Sequence, residues 1–396
     1  MKSPLKHISD WFLALARVFR REFAIVISDA GALLFFIGLP LAYPIVYTLI
    51  YNPEVVNKVA VAVVDDSRTP RSRQLVRQAS ATPQVEIYDY APNLADAKAM
   101  MASHDVYAIL HIPSDFDKKI NRGEQAQATL FCDMSLLLRY RSLLSAMTSL
   151  QLKLAQDITV ERVSIAGASS MASSSMPVNS ESHFLGDTQQ GFASFVIPGI
   201  VVLILQQSMI LGVALLGATA RERRRRNGGV DPREIAGAPV SAQIWGKALC
   251  FVTLYAPLTL YILHIVPEMF NLPHYGSPAD YLLFIFPLLL SSAFLGQTTV
   301  ILCREREYTF LVVVFTSVIF LFLSGLTWPR YAMSPLWTWI GNLVPATWGV
   351  EGFIRINSNA ATLAESARPY TALWILTAAY CVTAYMVTRH LVKSGK

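Results

Sequence analysis

The sequence predicts an α-helical membrane protein with six transmembrane helices and a large extracytoplasmic α/β domain inserted between helices 1 and 2. Composition is the first support: of 396 residues, 53% are hydrophobic and 15% are charged, whereas soluble domains carry about 25% charged residues. The second support is a set of six long apolar segments, interrupted after the first by a long polar segment. Together these features exclude an ordinary soluble protein.

Each of the six segments meets the requirement of about 20 mostly apolar residues for crossing a bilayer. The first follows several arginines and is not followed by a small-residue cleavage site, so we interpret it as a retained helix rather than a signal peptide. The predicted spans are residues 31–51, 192–219, 245–266, 281–302, 308–327 and 370–388.

The basic residues predict the orientation of these spans. Six spans place both termini on one side, and seventeen Lys and Arg residues fall on that side, against three in the short loops opposite. The 52–191 segment is left out because long translocated domains largely ignore this rule. Since short basic loops stay in the cytoplasm, we expect both termini, including the 389–396 tail, to be cytoplasmic.

Residues 1–30 are predicted to form an amphipathic helix in the membrane interface. The apolar side chains that repeat at helical spacing are Phe12, Leu15, Ala16, Phe19, Phe23 and Ile27. Arg17, Arg20 and Arg21 lie away from that stripe, as expected of an interfacial helix. Simple membrane anchoring explains the same pattern.

The 220–244 loop begins with five arginines in six positions. We interpret them as the cytoplasmic stop of the second span, because anionic headgroups attract such clusters. No aromatic residues interleave them, which excludes a nucleic-acid surface. Asp231 followed by Pro232 is a helix-start pattern, Gly237 would end that short helix, and Ser241 could cap the third span. A docking helix and an ordinary connector are both compatible with this stretch.

The 52–191 segment alternates strand-like and helix-like stretches, which favours an α/β unit. A long helical pattern to residue 165 and a Ser-rich linker back to the membrane follow it. The first strand ends in two aspartates, and the segment also contains Asp133, His104 and His111. Strand ends commonly carry Asp as a turn residue, and two isolated histidines do not make a site, so we interpret none of these residues as metal ligands or catalytic groups. Partner binding and a plain structural cap remain open as roles for this domain.

The stretch LSGLTWPRYAMSPLWTWIGNLVPATWGVEGFIRIN begins at Leu323, and it contains four of the seven tryptophans. Together with the amino-terminal helix, the six spans and the Glu-Arg-rich loop, it resembles the permease of an ABC-2 type exporter, in the YhhJ/YbhR-like drug-exporter branch. The resemblance implies that residues 328–369 form an outer segment with a pair of short re-entrant helices. The loop start at Glu222 departs from the EREKGT-like sequence usual in the family.

The resemblance implies a permease subunit in the bacterial inner membrane that moves an amphipathic or hydrophobic substrate, such as a drug or lipid, outward. It implies a separate ABC ATPase carrying ATP and Mg on the cytoplasmic face, and a second permease chain in a homodimer or heterodimer. Membrane lipids and a periplasmic adaptor are further expected partners, and nucleic acid is not. The residues expected at the ATPase-docking surface are Arg17, Arg20, Arg21, Glu222, Arg223, Asp231, Pro232, Glu234 and Ile235.

This chain has no G-x-x-x-x-G-K-[ST] sequence and no LSGGQ-like stretch. We therefore expect no ATP hydrolysis in this chain, and we also expect no cofactor, catalytic residue or metal ligand in it. Ionisable residues are scarce in the spans, which disfavours an ion-driven carrier. A membrane-tethered receptor or scaffold, with a ligand- or partner-binding outer domain, is the alternative function.

Polar residues within the apolar segments and near the outer exit are candidates for a substrate path. Those in the spans could equally be hydrogen-bonding contacts between helices. The tryptophans near the exit also suit an interfacial aromatic belt. Glu351 and Arg355, four residues apart, could form an ion pair. The path candidates are Gln206, Gln207, Gln297, Thr298, Trp348, Glu351 and Arg355.

Overall fold

The computed structural model describes residues 4–51, 56–165, 191–235, 237–303 and 305–394. They divide into two units: residues 55–183 form one, which we call the outer unit because the sequence predicts that it is extracytoplasmic, and the chain on both sides of it forms the other, the membrane unit. The predicted Ser-rich linker lies outside the described residues.

The chain begins with two helices, α1 (Pro4–Ser28) and α2 (Ala30–Tyr51). Asp29 separates them and caps α2, because its Oδ1 accepts a hydrogen bond from the Ala32 backbone N–H at 3.0 Å. α2 is the first predicted span, and one π-helical turn, Leu34–Gly38, interrupts it.

The outer unit is built around a four-stranded sheet in the order β2-β1-β3-β4. Its elements are β1 (Val59–Asp65), α3 (Pro70–Ser80), β2 (Val85–Tyr90), α4 (Leu94–Ala102), β3 (Ala108–Ile112), α5 (Phe116–Arg122), β4 (Thr129–Cys132) and α6 (Leu137–Ile165). β1 runs parallel to β2 and β3, and β4 runs antiparallel to β3. β1 is buried on both faces: Val61 and Val63 join one apolar cluster, and Ala62 and Val64 join the other. This is a small α/β fold, as its alternating sequence predicted.

The rest of the membrane unit is helical. Its elements are α7 (Phe192–Arg226), α8 (Val240–Met269), α9 (Pro278–Thr299), α10 (Arg306–Leu323), α11 (Pro335–Asn342), α12 (Pro345–Asn359) and α13 (Ala367–Ser394). Among the described residues, six helices are long and apolar enough to cross a membrane: α2, α7, α8, α9, α10 and α13. α11 and α12 are the two short helices in the predicted outer segment. We call the end of the unit that holds Arg221–Arg226 the arginine end, and the opposite end, with α11 and α12, the tryptophan end.

α7 is the centre of the membrane unit. In its most apolar 18-residue stretch, 89% of the residues are buried, against 17% in α10 and 22% in α2. Glycine allows a neighbouring helix to pack closely against α7: a Cβ on Gly212 would lie 2.4 Å from the Phe36 ring of α2. α10 instead leaves Phe315, Val318 and Phe322 exposed, as expected of a lipid-facing or chain-facing helix.

α7 extends to Arg226, beyond the predicted end at residue 219. The reason is a tertiary contact: the buried Arg221 guanidinium donates hydrogen bonds to the carbonyls of Val300, Ile301 and Cys303, at 2.8, 3.2 and 3.0 Å. Those carbonyls follow α9, which ends at Thr299 rather than at residue 302. Arg221 therefore satisfies the carbonyls at the end of one helix from the side of another.

The short helix predicted after Asp231 does not form in the described residues 227–235 and 237–239, which make turns. Asp231 accepts the Arg233 N–H at 3.0 Å, within a turn rather than at the cap of a helix. Ser241 is not a cap either: α8 already begins at Val240, and the Ser241 hydroxyl accepts a hydrogen bond from Trp11 Nε1 at 3.0 Å.

Candidate functional site

α1 packs against the beginning of α8 at the arginine end. Val18 is buried there, and Gly246 of α8 allows the approach, because a Cβ at that position would lie 2.9 Å from Val18 Cβ and 3.0 Å from the Leu15 carbonyl oxygen. The predicted apolar stripe is only partly covered: Leu15 and Phe19 are half-buried, whereas Phe12 and Ile27 are 59% and 51% exposed. α1 thus has one face on α8 and a separate apolar face that is free to meet lipid.

Two ion pairs fold the loop after α7 back onto the arginine run. Arg223 donates to both carboxylate oxygens of Asp231, from Nε and from Nη2, each at 3.1 Å. Arg224 Nη2 lies 2.5 Å from Glu234 Oε1. The Arg223–Asp231 pair is bidentate and charge-assisted, and pairs of this kind fix geometry strongly. Burial opposes the ionisation of Asp231, but the hydrogen bonds from Arg223 and Arg233 outweigh it, so the pKa of Asp231 lies below its ordinary value.

A second set of polar contacts joins the α1–α2 junction, α7 and α10. Arg306 donates from Nη1 and Nη2 to the two carboxylate oxygens of Asp29, at 2.8 and 2.7 Å. The Arg306 backbone N–H, at the start of α10, donates to Glu222 Oε1 at 2.7 Å. Glu222 therefore satisfies a free N–H at a helix start. Residues far apart in sequence are joined here into one polar network.

Two small cavities lie at the arginine end, with volumes of about 60 and 50 Å³. Both are lined by Glu22, Arg224, Gln243 and Lys247. Drug-sized sites run to about 300–1,000 Å³, so these cavities are too small for a drug-sized ligand, although they have room for water molecules.

The structure brings together most of the predicted docking residues but leaves few of them accessible. Those lining the second cavity are Arg21, Arg223, Asp231, Glu234 and Ile235. Arg17, Arg20 and Pro232 are exposed, and Glu222 is occupied by Arg306.

An accessible set lies beside these residues, and we call it the docking surface after the role that the sequence predicts for this loop. It consists of Arg225, Arg226, Val230, Pro232 and Arg233. Val230 is 66% exposed, although it stands between residues fixed by the two ion pairs. Only Pro232 of this set was predicted. The sequence signal that could have identified Val230 is an apolar residue directly before Asp231 in a polar loop.

At the tryptophan end, an ion-pair network ties α12 to the segment before α11. Glu351 accepts from Arg330 Nη1 at 2.6 Å and from Arg355 Nη2 at 2.7 Å. Arg330 also donates to the Asn342 side chain, and its guanidinium stacks 4.6 Å from the centre of the Trp348 ring. The predicted Glu351–Arg355 pair is present, and the sequence missed Arg330 as its third member. The arrangement braces the two short helices against each other.

The two adjacent glutamines of α7 have different roles. Gln206 is fully buried, and its side-chain oxygen accepts the backbone N–H of Ala346 at the start of α12. That bond compensates for the lack of a side-chain cap at Val344. Gln206 Nε2 and both amide atoms of Gln207 are buried without a hydrogen-bond partner among the described residues. Such a group requires an explanation, because buried polar atoms are almost always paired.

Gln297 and Thr298 lie nearer the arginine end than the other predicted path residues do. Gln297 Nε2 donates to the Ile244 carbonyl of α8 at 3.2 Å, and the Thr298 hydroxyl lies 2.9 Å from that of Thr383 in α13. Both side chains therefore join neighbouring helices. The predicted path residues do not form one continuous line of contacts.

The two aspartates at the end of β1, Asp65 and Asp66, both have local partners within the outer unit. Asp65 accepts hydrogen bonds from the backbone N–H groups of Ser67 and Arg68 and from the Ser72 hydroxyl, and it thereby shapes the turn before α3. Asp66 pairs with His111 at 3.0 Å. Asp65 at the strand end is therefore occupied by local hydrogen bonds.

The described architecture is that of a multi-pass membrane protein. Ion pairs connect its helices and loop at one end, and an ion-pair network holds two short helices at the other. No curated protein matches this chain. A family model described as ABC-2 family transporter protein matches residues 31–386, nearly the whole chain. This chain therefore belongs to the ABC-2 transporter family, as a membrane-spanning permease.

Proposed function

We propose that this chain is the membrane-spanning subunit of an ATP-driven exporter. A separate ABC ATPase supplies ATP and Mg and docks at the arginine end, which faces the cytoplasm. Two such chains, or this chain and a sister subunit, form the pathway. The substrate is an amphipathic or hydrophobic molecule, such as a drug or lipid, taken from the cytoplasm or the inner membrane.

The observation that carries this proposal is the set of polar contacts between helices and loop at the arginine end. It connects α1 to α8 through Trp11 and Ser241, the loop to α7 through Arg223 and Asp231, and the α1–α2 junction to α10 through Arg306. A force applied to the loop therefore reaches several spans at once. A partner that changes shape on ATP binding needs such a mechanical connection.

The docking surface offers the contact itself. Its basic side chains suit acidic residues on a partner, and Val230 provides an exposed apolar contact in a loop held by two ion pairs. Preorganisation of this kind lowers the entropy cost of binding. We propose these residues as the centre of the ATPase contact, with Arg17 and Arg20 at its edge.

For the pathway, we propose that Gln207 is the central polar contact and that the Glu351 network forms the exit gate. Gln207 has an unsatisfied amide beside Gln206, which holds the start of α12. Movement of α12 would alter both sites together.

The test is purification of the tagged full chain from native membranes in mild detergent, with identification of co-purifying proteins and measurement of ATP hydrolysis. We expect an ATPase to co-purify and to be lost with Val230→Asp, which places a carboxylate at the contact without removing an ion pair. Val160→Asp is the matched control, since Val160 is exposed on α6 of the outer unit, and it should retain the ATPase.

Two results would contradict the proposal. If the intact chain brings no ATPase and hydrolyses no ATP, the exporter proposal fails and a receptor or scaffold with a ligand-binding outer domain replaces it. If the ATPase co-purifies equally well with Val230→Asp, the contact lies elsewhere. Equal thermal midpoints for the two valine variants would show that folding is not the cause of any loss.

A further inference from the structure

Two histidines and a glutamate converge at the tryptophan end of α8. His264 and Glu268 lie one turn apart on that helix, and His274 follows in the loop before α9. The potential ligand atoms of all three side chains lie within 4.8 Å of one another. His264 Nε2 is 3.4 Å from Glu268 Oε1, and the two imidazole rings are 5.7 Å apart between centroids. This cluster is separate from the Glu351 network.

The hydrogen bonds of the histidines leave nitrogen atoms available. His274 Nδ1 lies 3.0 Å from the carbonyl oxygen of Leu272. A carbonyl can only accept, so Nδ1 carries the proton and the lone pair resides on Nε2. An N–H bonded to a backbone carbonyl is the usual second contact of a metal-binding histidine. His264 Nδ1 is buried and has no hydrogen-bond partner among the described residues.

A buried tyrosine next to the cluster supplies a second, independent observation. Tyr281 of α9 is 1% exposed, and its ring centre is 6.4 Å from that of His264. Its hydroxyl has no hydrogen-bond partner among the described residues. Buried hydroxyls normally have one, and a water molecule bound to a metal ion at the cluster would provide it.

The backbone holds the cluster in place. His264 lies in the π-helical segment Tyr261–Ile265, a distortion that often marks functional positions in helices. The loop carrying His274 is bonded to α12 on both sides: the Tyr275 N–H donates to the Asn357 carbonyl at 2.9 Å, and Asn357 Nδ2 donates to the Pro273 carbonyl at 3.2 Å. The histidine on this loop is thus positioned by α12.

We propose that His264, Glu268 and His274 form a binding site for a divalent zinc ion. Two imidazoles and one carboxylate are a ligand set that Zn²⁺ accepts while it keeps a fourth position for water. Zinc needs these atoms at about 2.0–2.2 Å from the ion, so the three ligand atoms must draw together by rotation of their side chains. The exposed Glu268 carboxylate is the group with the most freedom to do so.

Zinc binding would connect α8 to the loop that is bonded to α12. The ion would therefore stabilise the tryptophan end, and the thermal midpoint of the chain should rise in its presence. This expectation concerns the chain itself and does not depend on the ATPase or the substrate.

The test uses the full chain in detergent, purified with an affinity tag that contains no histidine. Zinc binding is measured by competition with a chromophoric chelator, and Co²⁺ absorption reports the coordination geometry. We expect one ion per chain, and a loss of affinity of at least about 10–100-fold for His264→Ala, His274→Ala and Glu268→Gln, by comparison with the losses seen for outer-shell contacts. His390→Ala, which removes an exposed histidine of α13, should bind as the unchanged chain does.

The proposal is overturned if the chain binds no zinc saturably, or if the His264 and His274 variants bind it as tightly as the unchanged chain. Glu268→Gln preserves shape and alters an exposed side chain, so it remains informative should a histidine variant fail to fold. At one zinc concentration, the thermal midpoint should rise for the unchanged chain and for His390→Ala, and it should rise less for Glu268→Gln. A rise of equal size in all three also contradicts the proposal.

Discussion

At the scale of single residues, identical side chains in one run have different roles. Arg221 is buried against backbone carbonyls and Arg223 is paired, while Arg225 and Arg226 are exposed. Arg306, far along the chain, is held by Asp29 through two hydrogen bonds. Asp29 also caps α2. These two functions of Asp29 can be separated by substitution.

Asp29→Asn keeps the cap and removes the charge. The asparagine oxygen still accepts the Ala32 N–H, but Arg306 loses its ionic partner. We expect the thermal midpoint in detergent to fall, corresponding to about 1–2 kcal/mol, because hydrogen bonds to charged groups contribute about 1.5–3 kcal/mol and partial exposure weakens this pair. Asp10→Asn, at an exposed position on α1, is the control and should leave the midpoint unchanged.

The same pair has a defined pH dependence. The hydrogen bond from Arg306 holds the pKa of Asp29 below its ordinary value, against the opposing effect of burial. A carboxyl with a lowered folded pKa stabilises the fold above its unfolded pKa, about 3.9, and that contribution is lost as the pH falls through the folded pKa. The midpoint difference between the unchanged chain and Asp29→Asn should therefore be full at neutral pH and shrink below about pH 4. A difference that stays constant through that range would exclude the ion pair as its cause.

At the scale of elements, the start of α12 depends on α7. Gln206 supplies the acceptor for the Ala346 N–H, and the neighbouring Gln207 amide is unpaired among the described residues. The two glutamines differ in one respect: the Gln206 oxygen satisfies a buried donor, whereas the Gln207 oxygen has no such partner among the described residues, and both Nε2 atoms are buried and unpaired there.

Gln206→Leu should lower the thermal midpoint, because the loss of the acceptor leaves a buried N–H unsatisfied, at a cost of about 1–3 kcal/mol. Gln207→Leu is the matched variant, with the same change one position along, and it should leave the midpoint equal or higher. If Gln207 also contacts substrate, that variant should lose transport without losing stability. Equal destabilisation by both substitutions would contradict the distinct roles.

The sequence predicted the regular elements better than the contacts between them. Apolar length was enough to find six long helices, and alternation was enough to find the outer sheet, because both signals are local. The true end of α7 depends on carbonyls about 80 residues away, at Val300 and Ile301. The helix expected after Asp231 is replaced by turns in the described residues, although Asp231 accepts the Arg233 N–H as a capping residue would. The same carboxylate is bound by Arg223 of α7, a contact that a window of sequence does not show.

The candidate site shows the same limit. The sequence identified Arg223, Asp231 and Glu351 by type, but not Arg306 or Arg330, whose partners come from other elements. It also placed no metal ligands in the chain. His274 lies in a loop outside the helical spacing of the other two members of its cluster, so proximity becomes visible only after folding.

At the scale of the whole molecule, the distribution of charge decides the orientation. The short loops place seventeen basic residues on the side of the termini and three on the other. Basic short loops remain cytoplasmic during insertion, so the arginine end should face the cytoplasm. α2 ends at Tyr51 and α7 begins at Phe192, and their rings meet 5.1 Å apart at the end of the membrane unit away from the arginines. The chain between these two helices should therefore be translocated.

Single cysteines test this orientation in intact cells whose outer envelope has been made permeable. In a chain whose four native cysteines are replaced by alanine, Tyr88→Cys places an exposed thiol in the outer unit and Arg226→Cys places one at the arginine end. A membrane-impermeant maleimide should label Tyr88→Cys at once and Arg226→Cys only after the inner membrane is lysed, because the bilayer separates the two thiols. The reverse pattern would invert the topology and place the docking surface out of reach of a cytoplasmic ATPase.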